Sequence, residues 1–545
     1  MISARLDLIR QLRPAMLSRL TMRIQDWWST IGKNYDSNPF RQGMNTWTLL
    51  AAATLFAFCV APTFISYQPY FFRWDDSDYF ARSIGVSRAF WAGDLHGALS
   101  LMVSHHPPVM TFLGIPWGVL TSWNAAGKCF ITLAATISLL VAMSLYLLLR
   151  IGVEAPLLVA ASACVGASLG PYPAGASARA HMISTGFMAD GLFAWITLAA
   201  ALLIPYEARS SCATVGGGVW RGIVWGGIFS LGAMTKLSFL YFVALILPVL
   251  FVIRLYRIGL RSALAALIAF ACSSLPFALY LLRWGRFAFE VAKSSSFGVA
   301  AGNYYLPLPQ FLASTIRASP GLGFSLLLTA SALAYVVIKR PLVEVWPDFL
   351  PLFIMLGFSV VVLASPNREV RFAFPPIVSL PFLAAILLSR NGHAIRSRFA
   401  ALATGLVIIG LIAASVPTGS RSYQQSLSRA EVVLAQAARC HAKNLLIVTD
   451  SPTLNVFLLN LASVFSGSET SIHSLVWQAM SGGPIQDDFA AMSKSDAVIF
   501  QDADRLRPKF TNQRVPEYER YIQRTGPVPI RVGDDISIYS TYCKP

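Results

Sequence analysis

Long apolar segments separated by short gaps constrain the fold of this chain more than any other feature of its sequence. A helix needs about 20 predominantly apolar residues to cross a bilayer, and about eleven segments reach or approach that length. The segments cover residues 46–66, 127–149, 155–171, 189–205, 221–235, 237–254, 262–282, 321–338, 348–365, 372–389 and 398–416. The sequence therefore predicts a polytopic, all-α membrane domain with about eleven transmembrane helices.

The composition excludes a soluble globular protein. Of the 545 residues, 55% are hydrophobic and only 13% are charged, against about 25% charged residues in a typical soluble domain. The formal net charge of +17 would indicate a nucleic-acid partner in a soluble chain. Here most Lys and Arg residues outside the tail stand in short gaps between apolar segments, as in membrane proteins whose basic loops fix their orientation. We therefore predict that the chain binds no nucleic acid.

The basic residues also predict the orientation in the membrane. The first 45 residues are basic and hold no early apolar core, so the first span is predicted to act as an uncleaved signal anchor. If this segment is cytoplasmic, the basic gaps fall on the cytoplasmic side. These gaps hold Arg150, Arg209, Arg221, Arg254, Arg257, Arg261, Lys339, Arg340, Arg390, Arg396 and Arg398. The longer connections then lie outside, and we expect an integral membrane protein of a bacterial inner membrane with a cytoplasmic N-terminus.

Three domains are predicted: a cytoplasmic segment at 1–45, a transmembrane domain at 46–416 with an outer loop at 67–126, and a periplasmic tail at 417–545. The tail alternates helical patterns with short aliphatic runs, which predicts a small α/β domain. Its predicted elements are a helix at 429–440, strands at 444–450 and 496–500, a helix at 453–463 and a hairpin that turns at Gly533-Asp534. Cys440 and Cys543 are the tail's two cysteines, and a disulfide between them is left open because spacing does not determine pairing.

The outer loop at 67–126 holds the strongest candidates for chemistry. Asp75 and Asp76 follow the first span and stand between aromatic residues. Paired carboxylates beside an apolar wall suit a general base, because crowding and desolvation raise one pKa towards the working range. The alternative is that they are solvated, or that they cap a helix beginning near Ser77. Asp78 and Arg82, four residues apart, are predicted to form an ordinary pair on a helix face.

The same loop ends in His105-His106-Pro107-Pro108, which on its residues alone is equally well a rigid turn back into the membrane. A loop that opens with DDSDY and closes with HPP resembles the C-type integral-membrane glycosyltransferases. More narrowly, it is similar to the protein O-mannosyltransferases and the lipid A aminoarabinose transferases.

Further segments resemble the same family in the same order along the chain. Asp190 matches an aspartate that opens a span after the second outer loop, with Arg179 and His181 upstream, and Lys236 matches a threonine-lysine step before an apolar helix. Arg371 stands in a match to an arginine-aromatic-proline segment, although Phe372 occupies a position where the family usually has tyrosine. The resemblance covers residues 46–390, and the tail resembles no family.

The resemblance implies that the chain moves a sugar from a polyprenyl-phosphate donor to a lipid, glycan or protein acceptor at the outer face of the membrane. The implied mechanism is a single inverting displacement with Asp75 or Asp76 as the base. Cationic side chains in a partly dry cavity would hold the phosphate, although such residues also lie at membrane surfaces simply to keep their charge in water. The implied substrate-binding residues are Tyr79, His106, Arg179, His181, Asp190, Lys236, Arg368 and Arg371.

Two questions stay open at this point. A divalent metal held by the aspartates with His106 or His181 is an alternative without a fixed ligand spacing to support it, and no other cofactor is predicted. The other function class is a secondary transporter or lipid flippase, which binds its substrate near the membrane midplane, often between repeated halves. A cavity at the outer ends of the helices would favour the transferase.

Overall fold

Helices dominate the chain up to residue 389, as the apolar segments predict. The computed structural model describes residues 75–102, 107–118, 129–153, 157–158, 161, 189–209, 214–297, 307–318, 321–339, 342–365, 370–389, 421–448, 454–468, 470–475, 483–501, 509–525, 529–540 and 542. The helices before residue 390 are α1 (Asp75–Trp91), α2 (Leu95–Met102), α3 (Val109–Gly118), α4 (Cys129–Ile151), α5 (Ala189–Arg209), α6 (Val215–Thr235), α7 (Leu240–Ile258), α8 (Leu260–Ser273), α9 (Leu275–Phe297), α10 (Leu308–Ala318), α11 (Gly321–Lys339), α12 (Leu342–Ala364) and α13 (Phe374–Ser389). Short 3₁₀ turns at Leu237–Phe239 and Val370–Ala373 precede α7 and α13.

Several predicted spans correspond to helices long and apolar enough to cross a membrane. Within the described residues these are Ala189–Arg209, Leu237–Ile258 and Trp346–Ala364, or four spans if the bent pair α8–α9 counts as one. The chain is an integral membrane protein. The predicted spans at 46–66 and 398–416 lie outside the described residues, so the number of about eleven stays a prediction.

The predicted span at 262–282 is divided into two helices. α8 ends at Ser273, α9 begins at Leu275, and the two are bent by 52°. Pro276 explains the break, because proline has no N–H to donate to the carbonyl four residues earlier and its ring clashes with that carbonyl.

Helix α5 forms the centre of the bundle. It packs against α4, α6, α7, α12 and α13, and almost every residue from Ala189 to Pro205 is buried. A helix that is apolar on all sides is expected in such a central position. The residues at its two ends are therefore held between several neighbouring helices.

The tail contains a five-stranded sheet flanked by helices. The elements in chain order are α14 (Arg421–Arg439), β1 (Asn444–Ile447), α15 (Val456–Ser466), β2 (Ser471–Ser474), α16 (Ile485–Lys494), β3 (Ala497–Gln501), α17 (Lys509–Thr525), β4 (Pro529–Val532) and β5 (Ile536–Ser540). The strand order is β2-β1-β3-β5-β4, parallel across the first three and antiparallel across the rest. The predicted hairpin turn is present at Gly533, which has the positive φ of +66° that favours glycine.

The tail packs directly on α1. The Arg88 guanidinium donates a hydrogen bond of 3.0 Å to the Val464 carbonyl, and the rings of Phe80 and Phe465 lie 6.2 Å apart. Leu461 of α15 joins the same apolar core as the membrane helices. Cys440 is buried and disulfide-bonded. Cys543, the partner that the sequence left open, lies outside the described residues.

Glycines allow α6 and α8 to approach each other closely. Gly218, Gly222 and Gly226 recur every fourth residue and face α8, where a Cβ at Gly222 would overlap the backbone oxygen of Ala266. Small residues at this spacing are the usual means by which membrane helices pack closely, since lipid provides no hydrophobic drive for association.

The close approach predicts opposite effects of alanine at two neighbouring glycines. Ala normally stabilises a helix over Gly by about 0.5–1 kcal/mol, and a Cβ at Gly227 meets nothing within 4 Å. We expect Gly222→Ala to lower the melting temperature of the purified protein, because α8 must move away, whereas Gly227→Ala should leave it unchanged or raise it. Equal melting temperatures for the two variants would contradict the packing described here.

Candidate functional site

Lys236 lies at a break between two helices. α6 ends at Thr235, and Lys236 has an extended backbone (φ −156°, ψ 127°) before the 3₁₀ turn at Leu237–Phe239. Its N–H still donates to the carbonyl of Gly232, at 2.9 Å. A Cβ on Gly232 would lie 2.6 Å from the ring of Phe239, so this glycine gives the turn room to fold back.

Three separate elements meet at the Lys236 ammonium. It forms an ion pair with Asp190, in the first turn of α5. It also lies over the ring of Phe372, 4.5 Å from the centroid, and 5.7 Å from the centroid of Phe193. Phe372 belongs to the 3₁₀ turn that precedes α13. We call Lys236, Asp190 and Phe372 the lysine site; three of the segments singled out in the sequence therefore meet in space.

The lysine site lies beside a cluster of packed aromatic rings. Phe193 contacts the rings of Phe239, Phe242 and Phe358 at centroid distances of 6.1, 6.0 and 6.2 Å. The Asp190 side chain is 5% exposed and that of Lys236 is 24% exposed. In such an apolar setting an ammonium interacts with anions more strongly than in water. Lys236 carries three N–H donors, so it can bind Asp190 and a second anion at once.

A second group of ion pairs marks the other end of the bundle. Arg254 is fully buried and donates to the carboxylate of Glu207, and Arg221 lies 3.7 Å from the same carboxylate. Arg209 binds Asp348 at 2.6 Å. These residues stand where α5, α6, α7 and α12 begin or end, opposite the lysine site. The three arginines belong to the gaps predicted to be cytoplasmic, so the lysine site lies at the predicted outer end.

The predicted bases lie at the start of α1. This helix begins at Asp75, two residues before the start near Ser77 that the sequence predicted. The backbones of Asp75 and Asp76 form its first turn; their side chains lie outside the described part of the structure. Helix α1 runs alongside α3, since Ser83 donates to the Thr111 carbonyl at 2.8 Å and Ser87 to the Ile115 carbonyl at 2.8 Å. Extending this register by one turn places residue 79 level with Pro107, so Pro107 lies about one helical turn, or about 6 Å, along α1 from Asp75.

The structure describes the remaining predicted residues unequally. The Tyr79 ring is buried in the core, 5% exposed. Arg371 has a described backbone in the turn beside Phe372, without a described side chain. Asp78 and Arg82 form the predicted helix-face pair, at 2.7 Å. His106, Arg179, His181 and Arg368 lie outside the described residues.

Among the described residues no group of three His, Cys, Asp or Glu side chains could hold a metal. The expected ligands Asp75, Asp76, His106 and His181 have no described side chains.

Two kinds of residue were missed by the sequence reasoning. The contacts of Lys236 with the rings of Phe372 and Phe193 were not predicted; Phe372 was singled out in the sequence only as part of a matched segment. Glu207 and Asp348 were missed because their arginine partners stand 47 and 139 residues away in the chain, so no local pattern marks the pairs.

Two crystal structures of ArnT from Cupriavidus metallidurans are similar to this chain. The structure bound to undecaprenyl phosphate has a TM-score of 0.55 and 13% sequence identity, over 90% of this chain and 98% of that chain. The structure in the apo state has a TM-score of 0.54 at the same identity and coverage. The chain has the C-type glycosyltransferase fold.

This fold confirms the architecture that the sequence resemblance implied. The archaeal oligosaccharyltransferase AglB from Archaeoglobus fulgidus, in complex with an inhibitory peptide and a dolichol-phosphate, aligns with a TM-score of 0.49 at 11% identity, over 85% of this chain and 70% of that chain. No protein-family model and no curated protein sequence matches the chain. The two ArnT matches establish the fold alone, and the activity of the chain has to be argued from the lysine site.

The ion pair in the lysine site predicts a coupling between its two members. Removing one partner of a buried pair costs about 3–5 kcal/mol, and partial exposure of Lys236 reduces this to about 1–3 kcal/mol. We expect Lys236→Met and Asp190→Leu each to destabilise the protein in a denaturant titration, and the double variant to lose less than the sum of the two losses. Additive losses would show that the two side chains do not interact.

Proposed function

We propose that this chain is a membrane glycosyltransferase that moves a sugar from a polyprenyl-phosphate donor to an acceptor hydroxyl. The observation that carries the proposal is the lysine site, where Lys236 is held by Asp190 and Phe372 at the end of a bundle with the C-type fold. A lipid-borne phosphate needs a cation in a partly dry cavity, and this site supplies one. ArnT, which shares the fold, has been crystallised with undecaprenyl phosphate.

Asp190 and the aromatic rings prepare Lys236 for a phosphate. Removing an ammonium from water costs free energy, and the neighbouring carboxylate of Asp190 offsets part of this cost. The rings of Phe372 and Phe193 attract the ammonium through their electron-rich faces. A donor phosphate then meets an ammonium that is already oriented, so little additional ordering is required when it binds.

The proposed reaction is one inverting displacement. The acceptor oxygen attacks the anomeric carbon and forms the new C–O bond while the bond from that carbon to the phosphate oxygen breaks. The electron pair of the broken bond leaves with the polyprenyl phosphate, whose negative charge Lys236 and Arg371 stabilise. The proton of the acceptor hydroxyl passes to the carboxylate of Asp75 or Asp76. Atoms and charge balance without a nucleotide or a redox partner.

The position of the site favours this reaction over transport. Asp190 is the second residue of α5, and Lys236 directly follows the last residue of α6. Both therefore lie at helix ends, where a lipid phosphate and a water-soluble acceptor can both arrive, whereas transporters bind their substrates near the midplane. We place this end at the outer, periplasmic face of a bacterial inner membrane, in line with the basic residues at the opposite end.

A transfer assay with the purified full-length chain tests the proposal. Radiolabelled polyprenyl-phosphate sugars serve as donors, a cell-envelope extract supplies acceptors, and both label transfer and polyprenyl-phosphate release are measured. Removing a general base typically costs a factor of about 10²–10⁴, so we expect losses of this size in Asp75→Asn or Asp76→Asn. We expect Lys236→Ala to lose transfer through weaker binding of undecaprenyl phosphate.

Matched controls separate the site from general charge effects. Asp534→Asn removes a carboxylate from an exposed hairpin turn, and Arg286→Ala removes a cation whose side chain is 94% exposed; both should transfer like the wild type. Wild-type turnover in both aspartate variants would overturn the base assignment. No release of polyprenyl phosphate from any donor by the wild type would overturn the function.

A further inference from the structure

A cleft of about 640 Å³ lies between α1 and the tail domain. This volume falls in the range of about 300–1,000 Å³ that is typical of small-molecule sites. α1 contributes Asp78 and Arg82, and the tail contributes residues around β2, an edge strand of its sheet. The polar and charged tail residues that line the cleft include Asn460, His473 and Lys494, and the apolar ones include Phe457 and Ile472. None of its described lining residues belongs to the lysine site, so the cleft is a separate feature. We call it the α1–tail cleft.

The charged lining of the α1–tail cleft favours an anion. Arg82 and Lys494 are cations, and Asp78 is the single carboxylate among the described lining residues. Arg82 is held by Asp78 at 2.7 Å, which orients its guanidinium, whereas Lys494 is an exposed residue at the end of α16. A phosphate or carboxylate between these two cations would receive charge-assisted hydrogen bonds from both walls.

The uncharged lining suits a sugar. His473 is exposed and lies 2.9 Å from the Ser471 hydroxyl through its Nε2 atom, and Asn460 adds an amide. Such groups both donate and accept hydrogen bonds, as sugar hydroxyls do. Phe457 and Ile472 provide the apolar surface against which a sugar ring can pack. The lining therefore combines two cations with groups that recognise hydroxyls.

The α1–tail cleft begins one helical turn from the proposed bases. With a rise of about 1.5 Å per residue, Asp78 lies about 5 Å and Arg82 about 10 Å along α1 from Asp75. The contacts of Arg88 and Phe80 with α15 fix α1 against the tail. A molecule bound in the cleft can therefore extend a hydroxyl towards the start of α1 without any movement of the tail.

We propose that the α1–tail cleft binds the acceptor, and that this acceptor is a glycan carrying an anionic group such as a phosphate. The assignment rests on the proposed transferase function, and it gives the tail domain a role in selecting the substrate. Lys494 and Arg82 bind the anionic group, while His473 and Asn460 contact sugar hydroxyls. The acceptor hydroxyl then reaches Asp75 or Asp76, and the donor occupies the lysine site.

Binding of glucose 1-phosphate to the full-length chain, measured by calorimetry, tests the α1–tail cleft directly. Loss of one hydrogen bond to a charged group costs about 1.5–3 kcal/mol, or about tenfold or more in affinity, so we expect Lys494→Ala and Arg82→Gln each to weaken binding by about tenfold. Lys494→Arg should retain most of the affinity. Lys443→Ala removes an exposed lysine of the same domain that does not line the cleft and should bind like the wild type.

Two further probes test the chemistry of the ligand. Methyl glucoside lacks the phosphate, and inorganic phosphate lacks the sugar; both should bind more weakly than glucose 1-phosphate. Equal affinity for methyl glucoside would overturn the anionic group, and equal affinity for inorganic phosphate would overturn the glycan. No binding of glucose 1-phosphate, or wild-type binding in Lys494→Ala, would overturn the site itself.

The transfer assay separates this proposal from the function on which it rests. Glucose 1-phosphate should inhibit transfer by the wild type, with an inhibition constant about tenfold higher in Lys494→Ala, while undecaprenyl phosphate should bind both proteins equally. Inhibition that is insensitive to Lys494 would overturn the cleft as the acceptor site. Binding that depends on Lys494 in a protein that releases no polyprenyl phosphate would overturn the transferase and, with it, the acceptor role.

Discussion

The ion pair between Lys236 and Asp190 is the interaction on which the arrangement of the bundle end depends. It joins the start of the buried central helix α5 to the break after α6, and the Phe372 ring brings the turn before α13 to the same ammonium. Because each partner comes from a different element, the site exists only when those helices are packed. An ammonium in this apolar setting needs an anion nearby. We assign to the Lys236 ammonium the role of binding a lipid phosphate together with Asp190.

The rest of the structure keeps this end of the bundle in place. Buried arginine–carboxylate pairs tie the opposite ends of α5, α7 and α12, and the glycine face of α6 brings α8 into close contact. The tail domain packs on α1 through Phe465 and Val464. Helix α1, which begins with the proposed bases, is thus packed against the α/β tail domain. The α1–tail cleft lies between the two.

The sequence predicted the elements better than it predicted their partners. Apolar length located α5, α7 and α12, and the Gly533 turn located the hairpin, because both depend on local chain properties. Strand β2 was missed because SIHS is short and polar on alternate positions, and the break at Ser274 was missed because one apolar run continues through Pro276. The family resemblance singled out Asp190, Lys236 and the segment of Phe372 one by one, but it did not predict that they contact one another, since contacts between residues so far apart in the chain leave no periodic signal.

A structure of the full-length chain in a lipid nanodisc with undecaprenyl phosphate tests the central claim most directly. The account predicts that the phosphate lies within hydrogen-bonding distance of the Lys236 Nζ atom, about 2.7–2.9 Å for a charge-assisted contact, with Asp190 still paired to the same ammonium. A phosphate bound at the opposite end, beside Arg254 or Arg209, would contradict it, as would a phosphate in the bundle that makes no contact with Lys236.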